Sequence, residues 1–271
     1  MSTATVAAPA AEDQAVHRQG FTDVVRAEWI KLRSVRSTWW TVASLVVLGA
    51  GLTIAMCWGN ADWLAGADAD EAPGAFITWG MMIAQITAVV LGVLVVTSEY
   101  GTGMIRATFA AVPRRGYVLA AKSLVVACLL FVAGTVTALI GYFGGNYFFE
   151  REGIGMALEG DVLRAMYGSG LYMAGLGLLS VAVGTLLRHT AAAITITIAV
   201  CFVVSNMVAL VPGDLGLFLE RVMPGNAGTV IATPVTFNPN LLEAWPSFAI
   251  FAAEITVLMT AAAIAVRRRD A

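Results

Sequence analysis

Six apolar stretches, each long enough to cross a lipid bilayer as a helix, dominate this sequence. A spanning helix needs roughly 20 mostly apolar residues, and a backbone surrounded by lipid must satisfy its own hydrogen bonds. The stretches therefore predict an all-α polytopic membrane protein with six transmembrane helices. The spans are predicted at about residues 38–58, 75–97, 118–143, 165–187, 191–211 and 247–266.

The charge content excludes a water-soluble protein of this size. Charged residues make up 13% of the 271 residues, whereas soluble domains carry about 25%. The net charge of −2 gives no basic excess, so no nucleic acid is expected among the partners. The polar, Ala-rich residues 1–20 are predicted to be a disordered cytoplasmic tail, and residues 21–271 to form one transmembrane domain.

Lysines and arginines lie almost entirely on one side of the predicted spans. Thirteen of the 16 occur before span one, in the loops after spans two and four, and at the C-terminus. The alternate loops contain the other three, and the first of those loops carries only acidic charges. Because basic residues are enriched in cytoplasmic loops, we predict a multi-pass protein of the inner (cytoplasmic) membrane with both termini in the cytoplasm.

Residues 21–35 have the spacing of an amphipathic helix, which would lie along the inner membrane surface. Its apolar face also contains Glu28, a carboxylate that is costly to bury without a partner. Lys31, three residues further on, is a candidate partner. The alternative is a carboxylate that reaches water at the membrane surface. The apolar residues of this face are Phe21, Val24, Val25, Trp29, Leu32 and Val35.

A short cytoplasmic helix is predicted after span two, which ends at Glu99. Gly101 and Gly103 allow the chain to reverse there, since glycine adopts positive φ without penalty. Residues 102–111 would form the helix, and Pro113 would end it. Glu99 is expected to accept hydrogen bonds from the first-turn N–H groups of this helix. Such a helix suits docking of a soluble partner; the alternative is an ordinary basic loop.

The connection from residue 212 to residue 246 is too apolar for a free loop and too interrupted by proline and glycine to span a membrane. Irregular backbone at membrane depth is tolerated only where protein buries it. We therefore predict an outer segment that is re-entrant or lies on the surface as a pair of helices, placed before the last span.

The order and placement of these segments over residues 21–268 resemble permease subunits of ABC transporters of the type-two, exporter-like class. The usage of Ala, Gly and Val is similar to that of actinobacterial members. The matching residues are 28–34 (EWIKLRS), 99–108 (EYGTGMIRAT) with Pro113 and Arg115 behind them, and 223–228 (MPGNAG).

The resemblance implies that the short cytoplasmic helix is a coupling helix, which fits a groove in a separate cytoplasmic ABC ATPase subunit. It also implies a working unit of two permease chains, as a homodimer, with two ATPase chains. We expect apolar anchors in that groove and a cation on its rim. The helix would begin at Thr102; the predicted anchors are Met104, Ile105 and Phe109, and the predicted rim cation is Arg106.

The function predicted from these features is the permease subunit of an ATP-driven exporter in the bilayer, moving an amphipathic small molecule, peptide or lipid. The alternative is a non-transporting scaffold or sensor that uses the same helix to bind a cytoplasmic partner. A secondary transporter would need charged relays or broken inverted repeats, and the one buried glutamate gives it little support.

Motifs for catalysis are absent from the sequence, so the chain is predicted not to be an enzyme and to use no cofactor, metal or catalytic residue. It contains neither G-x-x-x-x-G-K-[ST] nor H-E-x-x-H, the patterns of a phosphate loop and of a zinc protease. Its cysteines and histidines are isolated from other ligands. These residues are Cys57, Cys128, Cys201, His17 and His189.

Two further features lie inside the spans. Glu254 is a carboxylate within span six, which costs roughly 2.5–3.5 kcal/mol on insertion scales; it either makes a structural hydrogen bond or lies on a substrate pathway. Small residues at helical spacing in spans three and four indicate close helix packing, with a dimer seam or translocation path as the alternative. They are Ala133, Thr137, Gly141 and Gly145, and Gly177, Ser180 and Gly184.

Overall fold

The structure of the chain is a computed structural model that describes residues 20–112, 114–236 and 238–269, the last residue by its backbone alone. The predicted tail up to residue 19, with His17, and the predicted helix stop at Pro113 lie outside the described residues. Within those residues all regular structure is helical, which confirms the all-α prediction. Six helices are long and apolar enough to cross a membrane, as predicted.

Ten helices follow one another along the described chain, apart from the short 3₁₀ helices Pro73–Ala75 and Val230–Ala232. The helices are α1 (Phe21–Ser34), α2 (Arg36–Leu64), α3 (Met81–Thr102), α4 (Met104–Ala111), α5 (Arg115–Arg151), α6 (Gly160–Leu187), α7 (Thr190–Leu210), α8 (Gly213–Val222), α9 (Pro224–Thr229) and α10 (Ala244–Arg269). The spans are α2, α3, α5, α6, α7 and α10. The end of the bundle with α1, α4 and the last turn of α10 is called the near end, and the opposite end, with α8 and α9, the far end.

Several span boundaries differ from the prediction. Span one ends at Leu64 rather than at about residue 58, and span four begins at Gly160 rather than at about residue 165. Span two begins at Met81 rather than at about residue 75, because Pro73–Ala75 and the following residues form a 3₁₀ helix and turns. Span three is 37 residues long, about 56 Å at 1.5 Å per residue. The length of an apolar run reflects the thickness of the hydrocarbon core. The predicted span was therefore too short, because the aromatic and polar residues beyond the apolar run continue the same helix.

The small residues of span three pack against α2 of the same chain. A Cβ built on Gly141 would lie 3.1 Å from Thr53, and one on Gly145 would lie 2.6 Å from the Cys57 sulfur. The small residues of span four pack in the same way against α3, where a Cβ on Gly92 would lie 2.7 Å from the Gly177 carbonyl oxygen. Both small-residue faces therefore bring helices of one chain together. This agrees with close helix packing, the first of the two interpretations given above.

The connection between α7 and α10 forms a helical pair, as predicted, and its second helix enters the bundle. Ala227 and Ile231 are at most 1% exposed. A Cβ on Gly225 would lie 1.8 Å from the Cys201 carbonyl oxygen, and one on Gly228 would lie 2.5 Å from the Tyr172 ring. The glycines of the 223–228 motif thus permit a backbone approach that any side chain would block.

Side-chain hydrogen bonds hold this helical pair in place. The Asn226 amide donates to the carbonyl oxygens of Ser205 and Glu220, at 3.0 Å each. Arg164, at the start of α6, donates to four carbonyl oxygens between Val230 and Pro234, at 3.1–3.4 Å. These carbonyls lie in and just after the 3₁₀ helix Val230–Ala232, at a helix end where backbone carbonyls commonly lack partners in the helix.

Candidate functional site

Four helices meet at the near end around the short helix α4. Gly103, with φ of 73°, takes the left-handed conformation that ends α3, and α4 begins at the next residue. Thr102, predicted to begin the coupling helix, is instead the last residue of α3, because the left-handed glycine ends one helix before another starts. The chain thus reverses at a single residue and returns to the bundle as α5.

A buried ion-pair network joins three of these helices. The ammonium group of Lys122, on α5, lies 2.7 Å from Glu28 Oε2 on α1 and 2.6 Å from Glu99 Oε1 on α3. All three side chains are at most 5% exposed. Buried charges persist only when paired, so each of these groups depends on the others.

Lys31 extends this ion-pair network to α4. Its ammonium group lies 2.8 Å from Glu28 Oε1 and 3.2 Å from Glu99 Oε1, and it donates to Thr108 Oγ1 at 3.4 Å. Partial burial lowers the pKa of Lys31, but hydrogen bonds and charge from Glu28 and Glu99 outweigh this effect and raise it above its usual value. Lys31 is therefore positively charged at neutral pH.

The predicted Glu28–Lys31 pair is confirmed, and Glu28 does not reach water, since it is 4% exposed. The prediction for Glu99 was wrong in its partner. Its Oε1 atom accepts from both lysines rather than from the first-turn N–H groups of α4. Gly103 turns α4 away from the end of α3, while Glu99 faces α1 and α5. Glu99 Oε2 is buried without a hydrogen-bond partner among the described residues.

Lys122 is the residue that sequence reasoning missed, because it was counted as a loop cation. It is the eighth residue of α5, and the residues four positions on either side, Val118 and Val126, are both buried. Residues four apart share one helix face. The signal that could have identified Lys122 is therefore its position on the apolar face of a span, where a buried charge needs an acidic partner.

The helix α4 has one face toward the bundle and one away from it. Ile105 and Phe109 are half-buried, whereas Met104 is 46% exposed and Arg106 is exposed. The Phe109 ring packs against Val24, Val118 and Ala121. Phe109 stays a predicted anchor for a partner, but the packed part of its ring attaches α4 to its own bundle.

Glu254 lies in α10, away from the ion-pair network. Its Oε2 atom is buried without a hydrogen-bond partner among the described residues. The structural hydrogen bond, one of the two alternatives for this carboxylate, is therefore not found at that oxygen.

The sequence that forms the near end matches a known protein family. A family model described as ABC-2 family transporter protein matches residues 24–206. These residues include most of α1, the ion-pair network, α4, the first four spans and most of the fifth. The chain belongs to the ABC-2 transporter family. Members are permeases, the membrane components of ABC transporters, and the family implies association with an ABC ATPase. Comparison with curated proteins gives no match.

Proposed function

We propose that the chain is the permease subunit of an ATP-driven exporter of amphipathic molecules, powered by a separate ATPase that docks on α4. In this proposal the near end is cytoplasmic, two copies of the chain form the membrane part as a homodimer, and ATP hydrolysis takes place on the partner alone.

The observation that carries this proposal is the attachment of α4 to three other helices. Thr108 binds Lys31, which binds Glu28 and Glu99, and these two carboxylates bind Lys122. A displacement of α4 by the ATPase would therefore act on α1, α3 and α5 together. A passive loop or a simple docking peptide would not need this buried connection, which is the argument against a non-transporting scaffold.

The exposed face of α4 supplies a docking surface with an apolar residue and a cation. Met104 and Arg106 are exposed near the start of the helix. Apolar residues buried at the centre of an interface carry most of its energy, whereas rim charges mainly affect association rate and salt dependence. We therefore place the main contact at Met104 and a weaker, salt-dependent one at Arg106.

Met104→Glu should weaken ATPase binding at least tenfold, about 1.4 kcal/mol, because it places a carboxylate in an apolar contact. The measurement is co-purification of the detergent-solubilised permease with an ABC ATPase, recognised by its phosphate loop. Met104→Leu is the matched control and should retain the ATPase, with monodispersity as the test of folding. Undiminished binding by Met104→Glu, or a partner without a phosphate loop, would contradict the proposal.

The proposed orientation predicts which engineered cysteines react with an impermeant thiol reagent added outside intact cells. Cysteines at Ala67 and Asn240 should react, and one at Arg114 should not, because the basic loops lie in the cytoplasm. All three positions are exposed. Each cysteine is introduced into a Cys128→Ala variant, because Cys128 is exposed and would itself react, whereas Cys57 and Cys201 are buried. Labelling at position 114 from outside would reverse the orientation.

A further inference from the structure

An open groove runs along α10 on the surface of the bundle. All of its described lining residues lie on α10, from Ile255 to Arg267, except Leu178 of α6. Thr256 and Thr260 in its lining are exposed. The groove has a volume of about 500 Å³, within the range of roughly 300–1,000 Å³ that is usual for ligand pockets. It is therefore large enough for a ligand that reaches it from the surface.

The length of this groove matches the thickness of one leaflet of a bilayer. Ile255 and Arg267 are 12 residues apart, about 18 Å along a helix at 1.5 Å per residue. The hydrocarbon core of a bilayer is about 30 Å thick, so each leaflet contributes about 15 Å. Because Arg267 lies in the last turn of α10, the groove extends from the near-end surface of the membrane to about the middle of its core.

Between Ile255 and Ile264 the lining of the groove suits a hydrocarbon chain. Thr256 and Thr260 are the hydroxyl-bearing residues there, and each hydroxyl donates to a carbonyl oxygen of α10 itself, at 2.7 Å. The other described side chains of this part are those of Ala, Ile, Leu and Met. A hydrocarbon chain has no hydrogen bonds to lose in such a groove, whereas a polar group would be left without partners.

Arg267 places a positive charge at the near end of the groove. Its side chain is exposed and makes no ion pair or hydrogen bond with the described part of the chain. A Cβ built on Gly116 would lie 3.7 Å from Arg267 Nη2, so the guanidinium group lies beside the start of α5. It is therefore available to an anion, and its planar fork matches the oxygens of a phosphate group.

Acidic side chains that could compete for Arg267 are scarce at this end of the bundle. Those of the described residues at the near end are Asp23, Glu28 and Glu99. Glu28 and Glu99 are buried in the ion-pair network, and Asp23 accepts a hydrogen bond from the backbone of Gly20 at the start of α1. An anionic ligand at Arg267 would therefore meet mainly positive charge, since the basic residues of the chain are concentrated at this end.

We infer that this groove binds an anionic phospholipid from the leaflet at the near end, with one acyl chain along α10 and the phosphate group paired with Arg267. The inference goes beyond the proposed function, because it adds a lipid partner that neither ATPase docking nor export requires. It concerns binding by the permease alone. Its failure would leave the docking of the ATPase on α4 untouched, and a failure of that docking would leave the groove untouched.

The test is native mass spectrometry of the full chain, purified in a polyoxyethylene detergent. The probes are phosphatidylglycerol, phosphatidylcholine with the same acyl chains, the diacylglycerol of those chains, and glycerol phosphate. Phosphatidylglycerol should bind about fivefold more tightly than phosphatidylcholine, the effect of one cation on an anionic lipid, and more tightly than the other two probes. Equal binding of the two phospholipids, or equally tight binding of glycerol phosphate, would overturn the inference.

Arg267→Gln tests the phosphate contact. It should weaken the binding of phosphatidylglycerol about fivefold and leave that of diacylglycerol unchanged. Arg268→Gln is the matched control, because Arg268 is also exposed but does not line the groove. Wild-type affinity in Arg267→Gln would overturn the inference. So would an equal loss in the two variants, which would mean a general attraction of the basic surface for anionic lipids.

Thr260→Trp tests the acyl-chain contact, because a large ring at this exposed position would fill the groove. This variant should lose most of its binding of both phospholipids. Val257→Trp is the matched control: Val257 is 68% exposed on α10 and lies outside the groove, so its binding should remain at the wild-type level. Monodispersity in detergent tests the folding of both variants. Undiminished binding of phosphatidylglycerol by Thr260→Trp would contradict the placement of the acyl chain.

Discussion

Replacing Lys122 with Met should lower the free energy of unfolding by about 3–5 kcal/mol, the usual cost of removing one partner from a buried ion pair. The variant leaves Glu28 and Glu99 buried without the ammonium group that lies within 2.7 Å of both. Lys31 still pairs with both carboxylates, at 2.8 and 3.2 Å, but its side chain is 37% exposed, so it compensates only part of the lost buried charge. The measurement is denaturant or thermal unfolding of the detergent-solubilised permease.

The matched control for this variant is Lys31→Met, which removes the half-exposed lysine of the same network. Exposed ion pairs contribute about 1 kcal/mol or less, so its effect should be several times smaller. The triple variant Glu28→Gln, Glu99→Gln and Lys122→Met should recover much of the loss, since it leaves no unpaired buried charge. Equal effects of the two lysine variants would contradict a structural role of the buried charges.

Gly225→Ala should destabilise the permease by about 3 kcal/mol, at the upper end of what overpacking usually costs. The added Cβ would lie 1.8 Å from the Cys201 carbonyl oxygen and 2.7 Å from Ser205 Oγ. The helix α9 would have to withdraw from α7. Thermal unfolding in detergent measures the change.

The control for Gly225 is Gly51→Ala on α2, where a Cβ would meet nothing within 4 Å. Alanine in a helix interior is favoured over glycine by about 1 kcal/mol, so this variant should be neutral or slightly more stable. A Gly225→Ala protein as stable as Gly51→Ala would mean that α9 is not inserted against α7.

The sequence predicted the spans and the helical pair well, because both follow from local features. Run lengths of apolar residues report membrane thickness directly, and the proline and glycines of the 223–228 motif excluded a span. The length of α5 was underestimated, since nothing in its aromatic continuation to Arg151 marks the end of a helix. Hydropathy locates the lipid boundary rather than the helix terminus.

The candidate site was predicted only in part, because its contacts are tertiary. Glu28 and Lys31 are three residues apart, so their pairing could be inferred from helix geometry. Glu28 and Lys122 are 94 residues apart, and no local pattern connects them. The contact of Phe109 with its own bundle could not be predicted for another reason: α4 has eight residues, too few for periodicity to decide which face meets the bundle.

The most direct test of α4 as the attachment point is photo-crosslinking in intact membranes. A photoreactive amino acid in place of Met104 should form a covalent adduct with a polypeptide that contains an ABC phosphate loop. The same group in place of Ile30, which is 52% exposed on α1, should form little or none of this adduct. An ATPase adduct at position 30 and none at position 104 would contradict docking on α4 and would place the ATPase on α1 instead.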